Sequence, residues 1–352
     1  MPEFTPNPAF MYRCLDLAQR GRGRVGNGAL VGAVLVRGGR IIAEGFHAAY
    51  GEPHAEQALL NALAGKIRPE DILYVNLEPC CHKGKTPPCT NLLIDRGVKN
   101  LVFGMLDPDP RVLGKGLKEL SESGVEVVGP FERALCESLN KGFIQVRQNG
   151  RPYITLKKAV SAGGKIANED GSPMKITSEE QDAWSHQFLR ARHDAILVGI
   201  GTIIVDNPQL NSRFDQSKIF SHSVGLNGNN RYQYNSINPY RIILDPDLRI
   251  QATARVIRDG EPGKTIICSS SSALSRNRSK AEELESRGVI LNELPLAKSG
   301  FAWKALWQSL ITPRADFPGI TSILVEGGPK TWELFRKSGL MDEEITLTGR
   351  WS

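Results

Sequence analysis

At 352 residues, 40% hydrophobic and 23% charged, the chain is longer than one hydrophobic core usually organises and has the composition of a soluble two-domain protein. No apolar run is long enough to span a bilayer, and the Met-Pro-Glu-Phe-Thr-Pro-Asn-Pro start lacks the basic and apolar regions of a signal peptide, so no membrane partner and a cytoplasmic location are expected. The net charge of +6 is scattered rather than blocked, which favours a phosphorylated small molecule over nucleic acid as partner. Three of the six cysteines (Cys80, Cys81, Cys89) cluster, which points to a metal rather than disulfides.

Periodicity predicts an opening helix over Ala9–Gly21, then strands at Leu30–Arg37 and Arg40–Phe46 around a Gly38-Gly39 turn. A helix follows from His54 to Leu63, a strand over Asp71–Leu77 and a helix opening near Cys89 after Pro87-Pro88. Leu101–Met105 reads as a strand, Leu113–Ser123 as a helix, Val125–Val128 as a strand and Phe131–Val146 as one long helix. This alternation implies a layered α/β domain with a largely parallel sheet.

The Asn149-Gly150-Arg151-Pro152 run marks a domain boundary, dividing residues 1–148 from 149–352. Beyond it, strands are expected at Tyr153–Ala159, Ala195–Val198, Arg241–Leu244, Thr265–Cys268, Val289–Leu291 and Ser322–Val325. Helices are expected at Ser178–Arg192, Ser272–Arg287, Phe301–Ile311 and Lys330–Gly339, with a loop over Asn211–Pro239.

The chemistry is concentrated in Pro53-His-Ala-Glu56 and Leu77-Glu-Pro-Cys80 through Cys89. One imidazole and two thiolates, His54, Cys80 and Cys89, can hold three positions around Zn²⁺ and leave the fourth to water. Glu56 can then move that water's protons. His54 and Glu56 are two residues apart and reach one site only from the first turn of a helix, where Pro53 places them. Cys81, adjacent to Cys80, reads as a spectator. Such a His-x-Glu with a later pair of cysteines is the arrangement of the zinc nucleobase deaminases.

Eight residues separate Cys80 from Cys89, and this expanded loop resembles that of the bifunctional riboflavin-biosynthesis deaminase/reductase. Gly45-Phe-His through Pro53-His-Ala-Glu56, Asp107-Pro-Asp-Pro110 and Gly114-Lys-Gly116 are also similar to that family. In the second half, Val198-Gly-Ile-Gly-Thr202, Asp206-Asn-Pro208 and Val325-Glu-Gly-Gly-Pro-Lys-Thr331 resemble its reductase.

The resemblance implies an N-terminal cytidine-deaminase-like three-layer α/β domain and a C-terminal dihydrofolate-reductase-like α/β domain. It also implies Zn²⁺ and NADPH as cofactors, a phosphorylated pyrimidine substrate and a homo-oligomer. On it, His54, Cys80 and Cys89 bind zinc and Glu56 shuttles protons, while Asn27, His47, His82 and Lys85 contact substrate. In the reductase, Lys157 is catalytic, and Arg190, Leu210, Arg213 and Glu326 hold substrate. Ala159, Lys175, Thr202, Asp206, Gly328, Pro329, Lys330 and Thr331 hold the nucleotide.

The chain departs from the family pattern in several places, among them Pro173 and Pro246, each where the family often has Ser. Gly26-Asn-Gly-Ala-Leu30 has one residue more than the family's usual run, Asp109 stands for Asn, and Lys175 for Trp. Residues between Gly339-Leu-Met-Asp-Glu343 and a last strand at Ile345–Arg350 look absent, which predicts an incomplete second sheet. The rival readings are a deaminase whose reductase-like half is structural, and a deaminase acting on RNA.

Overall fold

Asn7 opens helix α1 (Pro8–Gln19) by accepting the Ala9 N–H at its side chain, with Pro8 in the first position, where no amide hydrogen is missed. The computed structural model describes residues 4–82, 87–166, 174–212, 238–259, 261–297 and 300–349. Strand β1 (Gly32–Arg37) meets β2 (Arg40–Phe46) through Gly38 and Gly39, both at positive φ, a conformation that favours glycine. Then follow α2 (Ala55–Ala62), β3 (Ile72–Val75), α3 (Cys89–Asp95), β4 (Asn100–Phe103), α4 (Lys115–Glu122) and β5 (Glu126–Val128).

Period-two alternation sorts β1 between two cores. Ala33 and Leu35 join Leu59 and Leu60 of α2, Leu93 of α3 and Leu120 of α4. Val34 and Val36 join Met11, Cys14 and Leu17 of α1 on the other face. Three layers result. A fully buried leucine such as Leu59 or Leu93 contributes about 2 kcal/mol, and truncating one to alanine costs about 2–5 kcal/mol. The sheet order is β2-β1-β3-β4-β5. β1 runs antiparallel to β2 and β3 while β3, β4 and β5 are parallel, so the sheet is mixed rather than largely parallel.

The single helix expected over Phe131–Val146 is two, α5 (Arg133–Leu139) and α6 (Lys141–Asn149), broken at Asn140 with φ −106° and ψ 19°. The first compact unit runs to Gly150 and also takes in Pro313–Gly319; the second begins at Arg151.

The second unit begins with β6 (Tyr153–Val160) and α7 (Glu179–Trp184), whose helical path continues as one π-turn and one 3₁₀ turn to Arg192. β7 (Ala195–Gly199) leads straight into α8 (Ile200–Asp206), which periodicity had not marked. Next come β8 (Tyr240–Leu244), α9 (Arg255–Arg258), β9 (Thr265–Ser269), α10 (Ser271–Arg276), α11 (Arg278–Ser286) and β10 (Ile290–Glu293). A two-residue pair, β11 (Leu296–Ala297) and β12 (Gly300–Phe301), precedes α12 (Trp303–Ile311), β13 (Ser322–Val325), α13 (Pro329–Ser338) and β14 (Glu343–Thr348). The loop expected over Asn211–Pro239 lies mostly outside the described residues.

The main sheet has seven strands in the order β10-β9-β8-β7-β13-β6-β14, and every pair is parallel. Its centre is apolar on both faces, as the fully buried Ala195-Ile-Leu-Val198 run shows. The shortening read from the sequence leaves the last strand intact: β14 pairs with β6 along six residues. Asp342 anchors its start, accepting two hydrogen bonds from Arg151 at 2.7 Å and one from the Ile154 N–H at 2.8 Å.

Candidate active sites

His54 caps the start of α2 and Cys89 is the first residue of α3, while Cys80 sits in the loop after β3. Gly45 on β2 lets α2 approach: a Cβ there would meet the Ala55 carbonyl at 2.4 Å and the Leu59 nitrogen at 2.3 Å. His54 Nδ1 is 3.5 Å from Cys80 Sγ and 3.4 Å from Cys89 Sγ. Zinc bonds of about 2.0–2.3 Å at tetrahedral angles put nitrogen and sulfur ligands about 3.6 Å apart, so the triad fits Zn²⁺ without rearrangement. All three ligand atoms lie within 4.8 Å of one another, and Cys81 is not among them.

The Cys89 thiol and the His54 ring both hydrogen-bond Cys80, which brings its thiol down to about 4. Cys89 is pushed up as the partner that keeps the proton. Metal ligation releases that proton. Glu56 is buried on the first turn of α2, and burial together with the nearby Cys80 raises its carboxyl to about 7. His47 stands edge-on to His54, ring centres 5.5 Å apart, with its Nδ1 3.1 Å from the Pro53 carbonyl.

In the second unit, polar groups converge at the carboxyl end of β13 and beside it on β6; strand ends of parallel sheets are where ligands bind. Val325 pairs with Leu156, so Glu326 and Lys157 follow side by side on neighbouring strands. Glu326 is buried; burial alone would raise its carboxyl, but Arg190 and Lys157 bring it down to about 2. Beyond it, Gly327 and Gly328 lead into α13, whose N-terminus carries Pro329 and Lys330 exposed and Thr331 turned inward.

Residues 5–105 match the cytidine and deoxycytidylate deaminase zinc-binding region, and residues 152–348 match the RibD C-terminal domain. The riboflavin biosynthesis protein RibD of Aquifex aeolicus is 37% identical over 339 residues, 96% of this chain and 85% of that protein. The Escherichia coli RibD is 36% identical over 337 residues, with the same shares. The chain belongs to the RibD family. The RibD structure from Acinetobacter baumannii is 31% identical with a TM-score of 0.77, covering 98% of this chain and 86% of that one. The Thermotoga maritima diaminohydroxyphosphoribosylaminopyrimidine deaminase/5-amino-6-(5-phosphoribosylamino)uracil reductase is 31% identical with a TM-score of 0.76, covering 97% and 85%.

The residues marked by the RibD resemblance divide into three groups. His54, Glu56, Cys80, Cys89 and His47 converge in the first unit; Lys157, Arg190 and Glu326 converge in the second. Asn27 is half-buried in the segment ahead of β1, where a Cβ on the next residue, Gly28, would be 3.9 Å from His47 Nε2. Ala159 and Thr202 are half-buried, while Lys175, Asp206 and His82 are exposed.

A third group points elsewhere. Leu210 is at positive φ with its side chain in the second core, which leaves only its backbone for a ligand. Thr331 is 8% exposed and its Oγ1 lies 2.7–2.8 Å from where a Cβ on Gly199 or Gly327 would be, so it packs helix against strand ends. Within the second cluster, Arg190 holds Glu326 and, through Nη1, the Asn211 carbonyl at 3.0 Å. Lys85 and Arg213 lie outside the described residues. The charge that Asp109 brings to the family's Asn position is matched by Arg111, whose Nη2 is 2.6 Å and Nε 3.1 Å from Oδ2.

Sequence reasoning missed Asn76 and Asn140, both buried and both hydrogen-bonded to the backbone just before β1. An asparagine inside a helical pattern was the one available signal for Asn140.

Proposed function

We propose that this chain performs two consecutive steps of riboflavin synthesis. It hydrolytically deaminates 2,5-diamino-6-ribosylamino-4(3H)-pyrimidinone 5′-phosphate, then reduces the ribosyl group to a ribityl chain with NADPH. Residues 1–148 carry the first activity and 149–352 the second. The observation that carries the reading is the pairing, in one RibD-family chain, of the His54–Cys80–Cys89 triad beside buried Glu56 with the Lys157–Glu326–Arg190 cluster.

When bound, zinc lowers the pKa of a coordinated water to about 7, making a nucleophile available near neutrality. Glu56 accepts a proton from the attacking water at its carboxylate and delivers protons to the ring nitrogen and the departing amine. Its burial keeps bulk water from competing for those protons. Asn27 and His47 orient the pyrimidine.

In the second unit NADPH, when bound, would supply the hydride that the carbon of the ring-opened ribose, as an imine, requires, while the imine nitrogen takes a proton. Lys157 supplies the positive charge or the proton beside that nitrogen, with ionised Glu326 next to it. Gly328, Pro329 and Lys330, with the start of α8, would hold the nucleotide.

Among the described residues no helix is long and apolar enough to cross a membrane. The reading carries with it a cytoplasmic location and a homo-oligomer, which sedimentation of the purified protein tests. Mass analysis of products with and without NADPH tests the two reactions. Deaminated ribosyl compound is expected without the nucleotide and ribityl compound with it; unchanged substrate in both would refute the reading.

A further inference from the structure

The backbone just ahead of β1 is buried where no strand pairs with it, and its polar groups must find partners elsewhere. Leu30 is 7% exposed, packed on Ala18 and Val25 with Leu139 alongside. Its N–H donates to Asn140 Oδ1 at 2.8 Å. Its carbonyl accepts from Asn140 Nδ2 at 3.1 Å and from Asn76 Nδ2 at 2.9 Å. Asn76 Oδ1 then accepts the Gly32 N–H at 2.8 Å. Both amides are buried, Asn140 at 2% exposure and Asn76 at 0%. Two side chains thus take the place of a neighbouring strand.

The braced segment faces the deaminase site. Val31 accepts the His47 N–H at 2.9 Å, Gly28 lies against the His47 ring, and that ring stands edge-on to His54. Asn140 comes from the far end of the unit, and reaches Leu30 because the helix breaks there.

We propose that Asn140 is a positioning residue of the deaminase: with Asn76 it fixes the segment carrying Asn27 against the pyrimidine, and so sets substrate affinity without touching substrate. The proposal rests on the deaminase reading above. Only a planar group with a donor and an acceptor satisfies both Leu30 groups; a carboxylate would set oxygen against oxygen.

The test uses the full-length, zinc-loaded protein. In a Glu56→Gln background, which binds without turnover, calorimetry with the unreacted diaminopyrimidine phosphate should show Asn140→Asp weakening binding about tenfold. With Glu56 intact, KM for deamination should rise by a similar factor while kcat stays within about threefold. Zinc content and NADPH-dependent reduction of the deaminated compound should not change.

Because Asn140 acts through the segment bearing Asn27, adding Asn27→Ala to Asn140→Asp should weaken binding by much less than the product of the single effects. Binding that is unchanged in a folded, zinc-containing Asn140→Asp protein overturns the proposal, as does full multiplication of the two effects. Should Asn140→Asp not fold, Asn140→Ser carries the same expectations. Absence of ammonia release by the unsubstituted protein would overturn the deaminase reading, and the proposal with it.

Discussion

Arg190 closes on the buried Glu326 carboxylate with two nitrogens on one oxygen, Nε at 3.0 Å and Nη2 at 2.6 Å from Oε2. The side chains are 17% and 6% exposed, so this is a largely buried pair, and removing Arg190 takes from Glu326 its hydrogen-bonded cation and leaves it with the weaker compensation of Lys157. Arg190→Met should therefore cost about 3–5 kcal/mol of stability, read from denaturant unfolding. The sign with pH is fixed. Glu326 falls from an ordinary value of about 4.3 to about 2, so the pair stabilises the fold fully above about 4.3 and loses that contribution as pH falls through about 2. The gap between wild type and Arg190→Met should narrow across that window. A gap that widens toward acid would contradict the assignment.

Cys80 and Cys89 stand at ligand distance from His54, and Cys81 does not. Elemental analysis should find one zinc per chain in wild type and in Cys81→Ser, and little in Cys89→Ser. Equal loss in both would mean the ligand set is wrong.

Glu56→Gln should keep zinc, because the carboxylate is not a ligand, and should lose deamination by about 10²–10⁴, the usual contribution of a general acid–base group. A loss below about tenfold would remove Glu56 from proton transfer.

The metal centre was legible in the sequence because ligand chemistry restricts residue type and order: one His-x-Glu and two cysteines leave few other readings. The seven-strand parallel sheet was legible in part, since Ala195–Val198 and Ser322–Val325 are apolar runs of the kind that such a centre needs. What the local pattern did not reveal was set by tertiary contacts. The period of Phe131–Val146 runs through Asn140, and only the residue type hints that this side chain leaves the helix pattern for Leu30. Arg190 was expected to hold substrate; its partner Glu326 is 136 residues away in the chain, too far for any local pattern to reveal the pair. That Thr331 packs where Gly199 and Gly327 leave space is likewise invisible in a Gly-Gly-Pro-Lys-Thr run.

Lys157 lies beside Glu326 in the second unit, while every zinc ligand is in the first. Lys157→Ala should leave ammonia release unchanged and depress hydride transfer by about 10² or more, measured as NADPH oxidation on the deaminated compound. Parallel loss of both activities would show that the halves share one site. With wild type, kcat/KM for NADPH should exceed that for NADH; equal values would refute the preference.

The most direct measurement follows ammonia release and NADPH oxidation together in one incubation with the diaminopyrimidine phosphate. Ammonia should appear with or without nucleotide, and NADPH should be oxidised only as deaminated compound accumulates, finally in equal amounts. NADPH oxidation that precedes ammonia, or ammonia release with no NADPH oxidation at all, would contradict a chain that performs both steps in that order.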